Sequence, residues 1–145
     1  MALALLTLGF VILTFAVTWL LHLDSLEADW RPQPHDAVEA VENEQGMRTV
    51  LLDFTNIGRG AARKCTVRVD RGGDMVRAVC KTGHRSKDKV KPGRALPIEV
   101  TWSCSLAGGT VFLEIVCQTR SGRRLVHRFK TEIADSRLWI EAVAC

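Results

Sequence analysis

The sequence predicts an all-β domain, an antiparallel two-sheet sandwich of about seven strands, carried behind one N-terminal hydrophobic helix. Three observations predict it. Met1 to Leu21 contains no ionisable side chain. Apolar residues alternate with period two from Met47 onward, and turn pairs centred on Gly or Pro punctuate the alternating runs. The expected order is a transmembrane helix over 1–22, an acidic linker over 23–36 and the sandwich over 37–145.

The first ionisable side chain is His22. About twenty residues rising about 1.5 Å each cover roughly 30 Å, the thickness of a bilayer core. Trp19 and Trp30 stand near the far end, as interface aromatics do. A cleaved signal peptide would show a basic start and small residues before the cut. Here no Lys or Arg precedes the apolar run, and Leu26-Glu27-Ala28 puts a bulky residue where a small one is wanted. A buried core helix would carry a polar side. Only Thr7, Thr14 and Thr18 interrupt this run, and their hydroxyls can bond their own helix carbonyls. The helix is therefore expected to be an uncleaved, single-pass anchor. Asp24, Glu27 and Asp29 follow it against Arg31 alone, which favours an extracytoplasmic domain.

Charge divides the remainder. From Asp24 to Glu44 seven acids oppose only Arg31, a net of −6. From Gly46 onward 19 Lys and Arg face nine acids, a net of +10. So sharp a break marks a linker followed by a domain. Arg31-Pro32-Gln33-Pro34 stiffens that linker, because proline and the residue before it favour extended backbone.

Ala37 to Asn43 reads as a weak first strand, hairpinned through Gln45-Gly46 to the next. Val50, Leu52 and Phe54 then share one face, as do Cys65, Val67 and Val69. Val76, Ala78 and Cys80 follow, then Leu96, Ile98, Val100, Trp102 and Cys104. Leu113, Ile115 and Cys117 form the next inward set, and Leu125, His127, Phe129 and Ile133 the last full one. Ser136 to Cys145 is expected as an edge strand, since Leu138, Ile140 and Ala142 alternate. Gly72-Gly73, Lys91-Pro92-Gly93, Gly108-Gly109 and Ser121-Gly122 supply the reversals.

The stretch from Asp53 to Ala62 contains Asn56-Ile57-Gly58-Arg59-Gly60-Ala61-Ala62. It resembles the Asn-x-Gly-x-Gly-x-Ala turn of bacterial and archaeal Ig-like domains, including the CARDB type of membrane-anchored surface proteins. Lys91-Pro92-Gly93 and the Gln118 to Arg124 hairpin resemble that family too. The resemblance spans residues 37–133 and implies an Ig-like β-sandwich in which Asn56, Gly58 and Gly60 form a structural turn between sheets. The glycines would supply backbone angles that side chains forbid. It further implies a domain that binds or spaces other molecules, which is fold analogy and not site chemistry.

Cys65, Cys80, Cys104 and Cys117 fall on apolar strand phases. They read either as buried thiols acting as small hydrophobes or as disulfide formers. If 71–74 is a four-residue loop, Asp70 faces Met75 and Cys65 faces Cys80, near disulfide range. Cys145 would then be the odd free thiol. Metal has weaker support: Cys80 and His84 have Cys-x-x-x-His spacing, but no second half-site accompanies them. His127, on an inward phase, reads as a satisfied core histidine.

No Gly-rich phosphate loop, Gly-x-Ser-x-Gly elbow or His-Glu-x-x-His occurs, and the domain's acids are scattered singly. The expectation is a chain without enzymatic activity, metal or cofactor. Its most unusual local feature is basic: Lys81, Arg85, Lys87, Lys89, Lys91 and Arg94 with His84, opposed by Asp88 alone. The bland reading is a solvated loop, neutralised by the acidic linker. The sharper one is contact with an acidic partner protein or anionic lipid. Nucleic acid is not expected, because no aromatic for base stacking lies in the run. Together these readings predict a membrane-anchored interaction module, an accessory or structural subunit of a membrane or envelope assembly. A cell-surface adhesion or ligand-binding module is the alternative.

Overall fold

The computed structural model describes residues 2–33, 37–70, 75–81, 89–106 and 108–142. Helix α1 (Ala2–Ser25) contains a 21-residue stretch, Leu3–Leu23, with a mean hydropathy of 2.3. It is long and apolar enough to cross a membrane, and none of it is buried against the domain. That rules out a core helix. Each threonine bonds back along the helix: Thr7 to the Leu3 carbonyl at 3.0 Å, Thr14 to Phe10 at 2.8 Å and Thr18 to Thr14 at 2.8 Å. Their hydroxyls are thus satisfied without water, as an apolar surround requires.

The strands beyond are β1 (Trp30–Gln33), β2 (Val38–Glu39), β3 (Val41–Glu42), β4 (Met47–Asn56), β5 (Ala62–Asp70), β6 (Val76–Cys80), β7 (Lys89–Val90), β8 (Ala95–Ser103), β9 (Gly108–Gln118), β10 (Arg124–Ala134) and β11 (Arg137–Ala142). They build two antiparallel sheets. One runs β1-β4-β8-β6 with β3 also against β4; the other runs β2-β11-β10-β9-β5-β7. This is the expected sandwich, with more strands than the seven anticipated because the short edge strands count too.

The inward phases are those read from the alternation. Leu52, Phe54, Ile98, Val100 and Trp102 from the first sheet meet Leu113, Ile115, Phe129 and Ile133 from the second, all buried. Phe54 and Phe129 pack edge to face across the layers with centroids 5.0 Å apart. Each fully buried side chain of this kind stabilises the fold by roughly 1.5–3 kcal/mol. Cys104 departs from its expected place. β8 ends at Ser103, and Cys104 sits partly exposed in the following turn, its N–H donating to the Gly46 carbonyl at 2.9 Å.

The expected linker is not free chain. Trp30, Arg31, Pro32 and Gln33 pair with Asn56, Thr55, Phe54 and Asp53 of β4. Trp30 and Pro32 are buried, while Arg31 and Gln33 face outward, which is a strand's alternation in a segment expected to be a spacer. The weak first strand also splits: Val38 pairs with Leu138 in one sheet, and Val41 with Thr49 in the other. Between them Ala40 N–H donates to the Ser136 carbonyl at 2.7 Å. β1 and β3 therefore belong to the first sheet and β2, between them in sequence, to the second.

Candidate functional site at the helix exit

Chain leaving α1 docks at once onto the turn between β4 and β5. Asn56, fully buried, is the fastener. Its Oδ1 accepts from Asp29 N–H at 3.2 Å and from Gly58 N–H at 3.0 Å. Its Nδ2 donates to the Gly60 carbonyl at 2.9 Å and the Val90 carbonyl at 3.1 Å. All four hydrogen-bonding positions of the amide are used, so its burial leaves no polar atom orphaned. Backbone bonds from Ile57 N–H to the Asp29 carbonyl (2.8 Å) and from Gly60 N–H to the Glu27 carbonyl (3.0 Å) complete the seam.

The glycines serve space, which corrects the expectation that they serve backbone angle. Neither Gly58 nor Gly60 has a positive φ. A Cβ on Gly60 would stand 1.9 Å from the Leu26 carbonyl oxygen, and one on Gly58 would stand 2.3 Å from that of Glu27. The Asn-x-Gly-x-Gly motif thus holds residues 26–29 against the sandwich, by an amide that bonds them and two absent side chains that admit them.

Around this seam lies a cleft of about 360 Å³ walled by Leu23 and Leu26 on one side and by Arg59, Arg63, Lys89 and Arg120 on the other. A smaller cleft beside it joins Leu20 and Leu23 to Arg120 and Ser121. Glu27 at the rim is ion-paired with Arg123. Neither Glu27 nor Asp29 of the docked segment lies within ion-pair distance of Arg59, Arg63, Lys89 or Arg120. Sequence reasoning missed the three arginines because they sit on separate turns and strands. Tracing which turns share an end of the sandwich would have gathered them.

The basic run from Lys81 to Arg94 is not one surface. Lys81 ion-pairs with Glu99 at 3.0 Å. Lys89 and buried Val90 form β7 beside β5, so Lys89 joins the helix-exit collar. Lys91 and Arg94 are exposed in the adjoining turn, where Gly93 N–H donates to the Asn56 carbonyl at 2.7 Å. Arg85 and Lys87, with His84 and Asp88, lie outside the described residues.

Cys65 and Cys80 are not hairpin partners. Cys65 is on β5 of the second sheet, whereas Cys80 on β6 pairs with Ile98 in the first. The expected register fails because β5 and β6 belong to opposite layers, and no disulfide joins the two residues. They line one shallow crevice between the sheets. A bulge at Lys64, whose φ is 49°, places Cys65 beside Cys117 of β9. The Cys65 thiol bonds to the Cys117 sulfur, and that bond together with burial raises the Cys65 pKa. Cys117 is shifted the other way by the same bond, against its own burial. No group of three His, Cys, Asp or Glu placed to hold a metal occurs among the described residues.

His127 is inward and half-buried as expected, but it is not satisfied. Its Nε2 is buried with no hydrogen-bond partner. Desolvation lowers its pKa, against smaller opposing effects from Asp29 and Glu27 of the docked segment.

No family model and no curated protein matches this sequence. Among solved structures, the chain is similar to a secreted serine protease, VesC, from Vibrio cholerae, at 14% identity and a TM-score of 0.41. That match covers 74% of this chain and 23% of the protease, so the chain spans about a quarter of that protein's length. The finding corrects the expectation that the chain is not an enzyme: that exclusion, made on absent motifs, does not stand beside a likeness to a protease. So distant a likeness carries no argument for proteolysis either.

Proposed function

We propose that the protein is a single-pass, membrane-anchored interaction module, an accessory or structural subunit of a membrane or envelope assembly, with its sandwich on the extracytoplasmic side. The observation that carries this reading is the seam at the helix exit. Residues 26–33 continue from an apolar helix into a sheet with no intervening free chain, so the head is held at the membrane in one orientation. Such a head presents the same face to lateral neighbours in the bilayer. On the outer side of the first sheet Leu51 and Val79 are exposed and both lie opposite Glu99, with exposed Met75 nearby. Exposed apolar side chains on either side of a carboxylate suit contact with another protein better than they suit water.

Purification of the tagged full-length chain from native membranes in mild detergent tests the proposal. A second membrane protein is expected to co-elute in fixed stoichiometry, and Leu51→Glu with Val79→Glu should release it while the chain stays folded. Elution of the wild-type chain alone would overturn the reading. Binding of an isolated glycan or matrix in place of a membrane protein would favour an adhesion module.

A further inference from the structure

We propose that the collar of Arg59, Arg63, Lys89 and Arg120 around the end of α1 is a binding site for the phosphate of an anionic phospholipid headgroup. The inference rests on the reading of α1 as a membrane span and goes beyond it, by assigning a ligand to the residues that meet the membrane surface.

Position comes first. The apolar stretch Leu3–Leu23 has the length of a bilayer core, so Leu23 marks the level where hydrocarbon gives way to headgroups. The cleft walled by Leu23 and Leu26 opposite the four cations lies at that level. Its two walls match the two parts of a phospholipid at the interface, glycerol and upper acyl chain against leucine, phosphate against guanidinium. The neighbouring cleft formed by Leu20, Leu23 and Arg120 extends the apolar wall one helical turn toward the membrane.

Charge points the same way. Arg123, the fifth cation at this end, is taken by Glu27. The other four are not ion-paired by Glu27 or Asp29 of the docked segment. Three of the four are arginines, whose planar fork grips a phosphate through two parallel hydrogen bonds. They arise from four elements: Arg59 from the clamped turn, Arg63 and Lys89 from the paired strands β5 and β7, and Arg120 from the β9–β10 turn. Backbone bonds fix each of those elements, so the cations are gathered before any lipid arrives.

The test uses the full-length chain in mild detergent micelles, with equimolar phosphatidylglycerol and phosphatidylcholine added. Native mass spectrometry then counts retained lipids. Phosphatidylglycerol is expected to be retained at least tenfold over phosphatidylcholine, the preference falling as salt rises because exposed charges are screened over about 8 Å at physiological ionic strength. The variant Arg59→Gln, Lys89→Gln, Arg120→Gln should lose the preference. The charge-matched variant Arg77→Gln, Lys81→Gln, Arg137→Gln should keep it. Equal retention of the two lipids by wild type, or equal loss in both variants, would overturn the site. Displacement of the lipid by millimolar inorganic phosphate would assign the collar to a soluble phosphate compound and overturn the lipid assignment. Alkaline carbonate extraction separates this failure from that of the anchor: release of the chain from membranes would refute the span itself, whereas a chain that stays in the pellet without lipid preference refutes only the collar.

Discussion

Asn56 shows how much one side chain can decide. Removing its amide as Asn56→Ala would strand the Gly60 and Val90 carbonyls and two N–H groups in a buried seam. A loss of about 3 kcal/mol in chemical denaturation is expected, the bonds to the two carbonyls being buried and those to the two N–H groups partly so. Gly60→Ala should be as damaging through overlap with the Leu26 carbonyl, whereas Gly109→Ala, which meets nothing within 4 Å, should change stability by less than about 0.5 kcal/mol. Near-equal melting of the two alanine variants would refute the clamp. His127 supplies a pH dependence. Its folded pKa lies below the ordinary value of 6.5, so as pH falls through 6.5 the unfolded chain takes up a proton before the folded one does. Stability is complete above that value and declines below it. Melting temperatures recorded from pH 7.5 down to pH 5 should fall, and His127→Gln should flatten the part of that slope which the carboxylates do not supply.

At the scale of elements, β1 moves the domain boundary. A fragment beginning at residue 37 matches the composition break but lacks buried Ala28, Trp30 and Pro32 and the Asp29 N–H that bonds Asn56. A fragment beginning at residue 26 retains them. The longer one should be the more stable by at least about 3 kcal/mol, the usual scale for deleting a buried tryptophan alone. Equal urea midpoints would show that β1 is dispensable. The same segment explains why the first strand read as weak. Val38 and Val41 serve different sheets, so no single alternation runs through them. The cysteines teach a related lesson, since β5 and β6 are neighbours in sequence but lie in opposite layers. With its sulfur free of any disulfide and hydrogen-bonded to the Cys117 sulfur, Cys65 should appear as a thiol when the unreduced protein is denatured in alkylating reagent and mass-mapped. A Cys65–Cys80 crosslink in that map would contradict the arrangement.

For the whole molecule, the docked helix exit and the sandwich act as one body. The cations of the collar and the acids of the docked segment lie on the same side of the proposed bilayer, so the domain's strongly positive balance is felt where the chain leaves the membrane. With the sandwich outside, protease added to intact spheroplasts is expected to digest the domain. Complete protection until lysis would place it inside. Folded domains translocate largely regardless of charge, which leaves the short flanking segment to decide orientation.

Period-two alternation was enough to determine the sandwich, because inward positions must be apolar whatever they pack against. Phe54, Ile98, Trp102, Leu113 and Phe129 could be assigned to the core with no knowledge of topology. The apolar helix was equally plain, since twenty-one residues without charge are compatible with few surroundings. What the alternation cannot carry is which sheet a strand joins, for the pattern is the same in either layer. Only the tertiary structure placed Cys65 and Cys80 in different sheets, folded an acidic proline-containing segment into a sheet edge, and assembled a cationic collar from residues up to 61 positions apart (Arg59 to Arg120). Those outcomes depend on contacts between turns distant along the chain, and the residues making them carry no periodicity by which they could be recognised.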